Sequence, residues 1–501
     1  MLLAGSTLAL AASASAAASA ESSPKPKPSP KPPFTFGGFV RSYDFTRQNA
    51  SGFPQTLKAM NQASVNTAVS LRGAYRFNNG PFSVAATYLY ADPGSCIQAA
   101  SHLSPPCGKH TFVSQGSEPV NPDDTLPGYA LSTLYEAYVE YKTPALTVRV
   151  GDQVINTPWA PSSDTRLKPS AYEGVDASYK FSAMWSAEAT YMSRFENRVS
   201  SAFEDSTLLT SFPSGAAGTA PNMYTPGGGP IRTPGFAYGR LSYAYGNIAA
   251  NAHYYAFIDI ANALWLDARY AAKAPGKPFV ALQLGSESNA GRSVVGKIQS
   301  TIAGIQIGST PVRNLDVAFS YNYIPGRSDT IALPYGVSCG SNNQIKTVPG
   351  VTFPYFLPSG GTTNCLSRPD GTTSVYYGGW ASPYSDSFAT DPLFSSEFSQ
   401  TMVDRRSPGQ SIKLGATLWS SDKRLRLIAS KTWYSYGNEA GMSPTQELDL
   451  DGTWYFRTPG LGAYRGFSLR HRYAERTQAD TQLFGGTPLF KYNRTQLEYD
   501  F

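Results

Sequence analysis

Arg313–Ile324 reads RNLDVAFSYNYI, and Ala463–Thr477 reads AYRGFSLRHRYAERT. In the first, Leu315, Val317, Phe319, Tyr321 and Tyr323 alternate with Asp316, Ala318, Ser320 and Asn322. In the second, Phe467, Leu469, His471 and Tyr473 alternate with Ser468, Arg470, Arg472 and Ala474. A period of two belongs to a strand, whose successive side chains leave on opposite faces. An apolar file beside a polar file describes a strand that stands between lipid and water. The two stretches therefore predict an all-β fold, a single antiparallel transmembrane β-barrel.

The same period runs outward from Phe34. It predicts strands at 34–47, 63–77, 81–92, 131–142, 145–155, 171–182, 184–198, 235–245 and 247–259. Further strands follow at 262–272, 277–287, 294–309, 314–324, 409–420, 422–436, 445–457, 463–477 and 489–501. That is about 18, an even number as single-chain bacterial barrels require. The connections sort themselves. Every second one is a tight turn, such as Asn78-Asn79-Gly80 or Thr143-Pro144. The long ones, 93–130, 156–170, 199–234 and 325–408, all fall on the other side. A barrel has short periplasmic turns and long external loops; a soluble sandwich has no reason to sort its loops in this way.

Composition agrees. Only 15% of the 501 residues are charged and 13% are aromatic, with 32 Tyr and 26 Phe, yet mean hydropathy is −0.28. Strands that turn half their residues to lipid keep hydropathy modest, and no window reaches the roughly 18 apolar residues of a spanning helix. A soluble secreted all-β protein is the alternative on composition alone. Net charge is +6, mild for this length, and no compact basic run suggests nucleic acid. Residues 1–20 read as a signal peptide without the usual basic start, cleaved after Ala18-Ser19-Ala20. Residues 21–33, rich in alternating Pro and Lys, read as an extended periplasmic spacer, leaving 34–501 as the barrel. Of the 4 Cys, Cys96 lies near Cys107 and Cys339 near Cys365, each pair in a loop-like stretch, which favours two loop-stapling disulfides.

Parity assigns the charges to walls. Arg41, Arg47, Arg72, Arg76, Lys413, Arg424, Arg426, Arg470, Arg472, Arg476 and Arg494 face inward, mostly on the first strands and the last, which must meet to close the barrel. Glu447, Asp449 and Asp451 on strand 16 interrupt this arc. Glu136, Glu140, Asp176 and Glu188 stand on the opposite, acidic wall. A basic arc facing acids sets a field across a pore and focuses anions along one side. The competing reading is that the arginines pair with nearby acids and stiffen the wall. Strand 15 is irregular: Ile428 would point inward and Lys431 outward, which requires a bulge or a lysine reaching lipid phosphates. No catalytic motif, cofactor motif or metal spacing is present among the 4 His and 4 Cys,. Asp123-Asp124 reads as a solvated loop rather than a calcium site, and no enzymatic role is expected.

Arg149–Gly174, RVGDQVINTPWAPSSDTRLKPSAYEG, resembles the strand-to-loop-3 region of the OprD-type family of substrate-selective outer-membrane porins. Its matching core is Ser163-Asp164-Thr165-Arg166-Leu167 with Pro169, Tyr172 and Gly174. Gly38–Arg47, GFVRSYDFTR, and the basic pairs Arg424/Arg426 and Arg470/Arg472 also resemble that family. The resemblance implies an 18-stranded barrel in the bacterial outer membrane with loop 3 folded inward as a constriction, here Asp164, Arg166, Lys168 and Tyr172. It implies a basic ladder (Arg41, Arg47, Arg72, Arg424, Arg426, Arg470, Arg472, Arg494) guiding small carboxylate solutes such as amino acids or organic acids. A terminal Phe501 after Thr495, Leu497 and Tyr499 resembles the signal read by the outer-membrane assembly machinery. The remaining expected partners are outer-membrane lipid and lipopolysaccharide, with the chain a monomer or trimer. Alternatives are a less selective or sugar porin, and a non-transport surface barrel that binds through loop 325–408. Most Tyr lies on the lipid-facing file, which counts against a sugar slide.

Overall fold

The computed structural model describes residues 32–51, 59–92, 112–113, 119–121, 130–162, 167–198, 200–209, 232–341, 343–348, 353–357, 364–385, 391–403, 407–437, 444–457, 459, 466–477 and 489–501. The expected signal peptide, nearly all of the expected spacer, Asp164, Arg166, Cys96 and Cys107 lie outside the described residues.

The barrel strands are β1 (Phe34–Ser51), β2 (Ala59–Arg76), β3 (Phe82–Asp92), β4 (Leu131–Lys142), β5 (Leu146–Gln153) and β6 (Ala171–Lys180). Next come β7 (Trp185–Glu196), β8 (Phe236–Tyr245), β9 (Ile248–Phe257), β10 (Ala261–Ala271), β11 (Phe279–Asn289) and β12 (Gln299–Val312). The last are β13 (Leu315–Ile324), β14 (Gly409–Trp419), β15 (Leu425–Tyr436), β16 (Thr445–Tyr455), β17 (Gly466–Arg476) and β18 (Phe490–Asp500). Each pairs antiparallel with the next, and β18 returns to β1 from Phe39↔Asp500 to Gln48↔Lys491. All eighteen predicted strands are present. The one notable boundary error is at β12: residues 294–298, expected in the strand, belong to the preceding loop.

Closure removes every sheet edge from the wall, which a hydrocarbon environment demands of backbone amides and carbonyls. At the seam, Phe501 N donates to Gly38 O (3.0 Å) and Gly38 N to Phe501 O (3.2 Å), with the Phe36 ring 5.8 Å away. A Cβ on Gly38 would stand 2.0 Å from Ser70 O, so the seam needs a residue without one. The outward file is apolar and uncovered, with Leu284 54%, Leu282 50% and Leu469 42% exposed. In water such a belt would be an aggregation surface; against lipid it is the ordinary solvent face.

The turns explain themselves locally. Asn78, Asn79 and Asn314 take positive φ (45°, 53°, 69°), a region that Asn tolerates,. Ser182 Oγ accepts from Met184 N and Trp185 N (3.1 Å each) and closes the β6–β7 turn. At the other end stands the long connection after β13. It forms a three-stranded sheet (Arg327–Ile331, Thr373–Tyr377, Cys365–Ser367) and a hairpin (Val337–Cys339, Ile345–Thr347), which the expected Cys339–Cys365 disulfide ties together.

Two irregularities bear on parity. The β3–β4 pairing slips between Thr87 and Tyr88 of β3, so Tyr135 and Glu136 of β4 are both buried and the inward file of β4 changes from odd to even numbers. In β15 no slip occurs on either side, so the bulge is absent and Lys431 does point outward between Leu414 and Leu448.

Candidate functional site

The inner faces of β16, β17, β18 and β1 gather the densest charge. Asp451 of β16 accepts Arg470 Nε at 2.9 and 3.0 Å and also pairs with Arg470 Nη2. Arg472 Nε lies 3.4 Å from the same carboxylate and its guanidinium 4.8 Å over the Phe398 ring. In register Arg472 faces Asp451 on one side and Arg494 on the other, two guanidiniums abreast. Arg494 Nη2 donates to Gln496 Oε1 (2.5 Å), Gln496 Nε2 to Glu498 Oε2 (2.7 Å), and Arg41 Nε to the same oxygen (2.5 Å). All four arginines are under 9% exposed. Asp451 contacts Arg470 and Arg472, and Glu498 contacts Arg41, so the arc is ion-paired across its strands. Asp451 of strand 16 thus holds Arg470 and Arg472 in place.

The other ladder residues are more dispersed. Arg47 stacks on Phe45 (4.9 Å). Arg72 Nη2 donates to Tyr138 OH across the wall (2.7 Å), and Arg426 Nη2 to Thr453 Oγ1 (3.2 Å). Arg424 is not on a strand. Residues Ser420 to Arg424 form the β14–β15 turn, where Asp422 is 3.9 Å away, so this residue stands at the rim outside the arc.

On the opposite wall, Glu136 accepts Thr87 Oγ1 (2.6 Å), Asp176 accepts Thr190 Oγ1 (2.7 Å), and Glu140 accepts Arg149 Nε (2.8 Å). Glu188 pairs with Arg240 at 2.5 Å. This wall is therefore mixed, not simply acidic. Arg149 and Arg240 were missed, although parity along β5 and β8 already turned them inward, opposite Glu140 and Glu188.

Two segments enter the barrel from the loop end. In 154–170, Trp159 N donates to Tyr255 OH of β9 (3.1 Å), and the indole packs on Trp265 and Trp380 at 5.2 and 4.8 Å. The described part of this loop packs against the inner wall through Trp159, and two of the expected constriction residues do not line an opening. Lys168 is 0% exposed with Nζ 2.9 Å from Glu196; burial pushes its ammonium below the usual lysine range, and Glu196 opposes this. Tyr172, also 0% exposed, lies among Phe195, Phe236 and Tyr384. Both are anchors: an apolar cluster on the inner wall covers Tyr172, and Lys168 is held by Glu196 and the Tyr135 ring.

The second segment comes from the long connection, which the sequence suggested as an external binding surface. Trp380 and Tyr384 join the aromatic cluster. Farther on, Glu397 accepts Lys413 Nζ (3.0 Å) and Ser430 Oγ (2.8 Å), Phe398 N donates to Asp449 (2.7 Å), and Ser399 N donates to Glu447 (2.8 Å). This segment thus lies on the inner face of β14–β16, beside the arginine arc. No periodicity marks it.

Among solved structures, outer membrane protein OpdK from Pseudomonas aeruginosa superposes with a TM-score of 0.60 at 12% identity, covering 93% of this chain and 98% of that one. OccAB3 of Acinetobacter baumannii gives 0.61 at 13%, covering 93% and 99%. Pseudomonas aeruginosa OccK2 (OpdF) in complex with glucuronate gives 0.59 at 10%, covering 93% and 98%. No protein-family model matches the chain, and no curated protein sequence does either. The chain shares the closed-barrel fold of these proteins, the fold that the OprD-type resemblance implies.

Proposed function

We propose that the chain is an outer-membrane porin through which small carboxylate-bearing solutes diffuse, guided by Arg41, Arg470, Arg472 and Arg494. One observation carries the reading: the guanidiniums of Arg41, Arg470, Arg472 and Arg494 stand together on the inner faces of contiguous strands of a closed barrel, with Arg472 and Arg494 abreast. Guanidinium charge at mid-strand acts where water is confined, so it attracts anions more strongly than at a surface. Ion pairing holds each side chain in place and keeps its binding weak, which flux requires. The glucuronate of OccK2, a carboxylate in a barrel of the same fold, is consistent with this chemistry.

Two alternatives lose support. A surface barrel working through 325–408 does not explain why 391–403 bonds to the inner wall. Catalysis finds no centre in His253, whose nitrogens are engaged by Tyr238 and Asp267, or in the outward-facing His471. Reversal potentials of the reconstituted barrel in planar bilayers test the proposal: anion preference supports it, and a cation-selective pore refutes it.

A further inference from the structure

Glu397 of the inward segment converges with Glu447 and Asp449 of β16 on one dry recess, each at most 2% exposed. Asp449 Oδ2 accepts Phe398 N (2.7 Å) and Glu447 Oε1 accepts Ser399 N (2.8 Å), so these two acids hold the segment by its backbone. Glu397 reaches the other way, to Lys413 Nζ (3.0 Å) of β14 and to Ser430 Oγ (2.8 Å) and Thr432 Oγ1 of β15. The Asp449 carboxyl lies within hydrogen-bonding reach of those of Glu447 and Glu397. Yet Asp449 Oδ1 and Glu447 Oε2 are buried and meet no donor from the protein. Two carboxyls hydrogen-bond each other only when one of them carries a proton. The surrounding charges lead to the same count. Lys413 and Arg476 of β17, whose Nη1 donates to Ser399 O (2.5 Å), are the cations beside the three acids. Tyr434 and Tyr436 of β15 are the other titratable groups here. Asp391 is engaged within the segment by Leu393 N and Ser396 Oγ, and Asp451 by Arg470 and Arg472.

We propose that Glu397, Glu447 and Asp449 share one proton, and that this proton latches the segment around Phe398 onto the inner wall as a pH-sensitive strap. With the proton in place, three acids face two cations and the recess is neutral. Without it, carboxylates in contact repel one another where water is excluded and repulsion is strongest. Undocking relieves this by carrying Glu397 into the water of the lumen, and the proton leaves to the same water. The strap is therefore held in acid and loosened as pH rises. Its release uncovers Arg472, whose guanidinium lies 4.8 Å over the Phe398 ring, so the latch controls access to part of the basic arc. The latch does not depend on which solutes cross the pore.

Hydrogen exchange of the full chain in detergent micelles, read by mass spectrometry on peptides from 391–403, tests this. In wild type, protection of the segment, corrected for intrinsic exchange, falls about tenfold per pH unit over the range in which undocking releases one proton. Peptides from β14 and β16 keep their protection and report an intact barrel. Asp449→Asn places an amide N–H where the shared proton lay and removes one negative charge, so the segment stays protected at every pH. Glu447→Gln does the same from the neighbouring position. Wild-type protection that is independent of pH overturns the proposal, as does a pH dependence that survives in both variants.

Discussion

The shared carboxylate of Asp451 decides how the basic arc must be tested. Replacing Arg470 alone leaves a carboxylate that is 2% exposed, and bonded to Arg470 through three contacts, with only the looser Arg472 contact, so the barrel would suffer for reasons unrelated to transport. Arg470→Gln with Asp451→Asn removes one charge of each sign and leaves the net field nearly unchanged. Arg472→Gln removes a positive charge whose single contact with Asp451 is looser, at 3.4 Å. A carboxylate passing roughly 6 Å from that guanidinium gains ~0.7 kcal/mol in bulk water and ~2.8 kcal/mol at an effective dielectric of about 20. Screening in 0.1 M salt, with a Debye length of about 10 Å, roughly halves this. The remaining ~0.4–1.4 kcal/mol corresponds to about a two- to tenfold change in local anion population. Arg472→Gln should therefore lower the anion-to-cation permeability ratio by at least that factor, since cations gain as anions lose, and the effect should shrink as salt rises. The Arg470→Gln/Asp451→Asn pair should leave the ratio nearly unchanged. Uptake of a neutral solute of similar size should change little in either variant. If Arg472→Gln leaves the reversal potential where it was, or if both solutes slow equally, the arginines are struts and the guiding role is refuted.

Other expectations follow from particular contacts. Lys168→Met should destabilise the barrel by about 3–5 kcal/mol, because it strands the buried Glu196; Lys168→Met with Glu196→Gln should recover much of this in thermal unfolding. A wild-type-like melt of the single variant would contradict the buried pair. Gly38→Val should block seam closure, since its Cβ would fall 2.0 Å from Ser70 O; normal heat-modifiable migration on gels would show that the seam adapts. Non-reduced peptide mapping should recover the Cys339–Cys365 bridge and, as the sequence proposes, a separate Cys96–Cys107 bridge. Cross-linking between the two pairs would sink that assignment. A cysteine placed at Arg166 should react with a small water-soluble thiol reagent if loop 3 presents that residue to the pore, and protection from both sides with intact conductance would remove it from the constriction.

The sequence by itself determined the wall. Alternation along Leu315–Tyr323 or Phe467–Tyr473 is a local property, imposed residue by residue by lipid on one side and water on the other, and it can be counted without knowing any partner. Strand number, the sorting of turns from loops, the meeting of β18 with β1 and the inward direction of Arg41, Arg470, Arg472 and Arg494 all descend from that count. Only the tertiary structure decided what the inward residues touch. That Asp451 serves both Arg470 and Arg472, and that Glu140 holds Arg149, depends on cross-strand register. That Tyr172 is sealed rather than lining an opening depends on an aromatic cluster drawn from several strands and a distant segment, and the sealing of Lys168 depends on Glu196 and the Tyr135 ring. Trp159 N meets the hydroxyl of a tyrosine 96 residues along the chain, and 391–403 settles on β14–β16 through backbone amides that any residue could supply. Loops that fold into a barrel answer to neither lipid nor bulk water, so no repeating pattern is imposed on them. Their destinations are fixed by polar groups and cavities on walls built elsewhere in the chain.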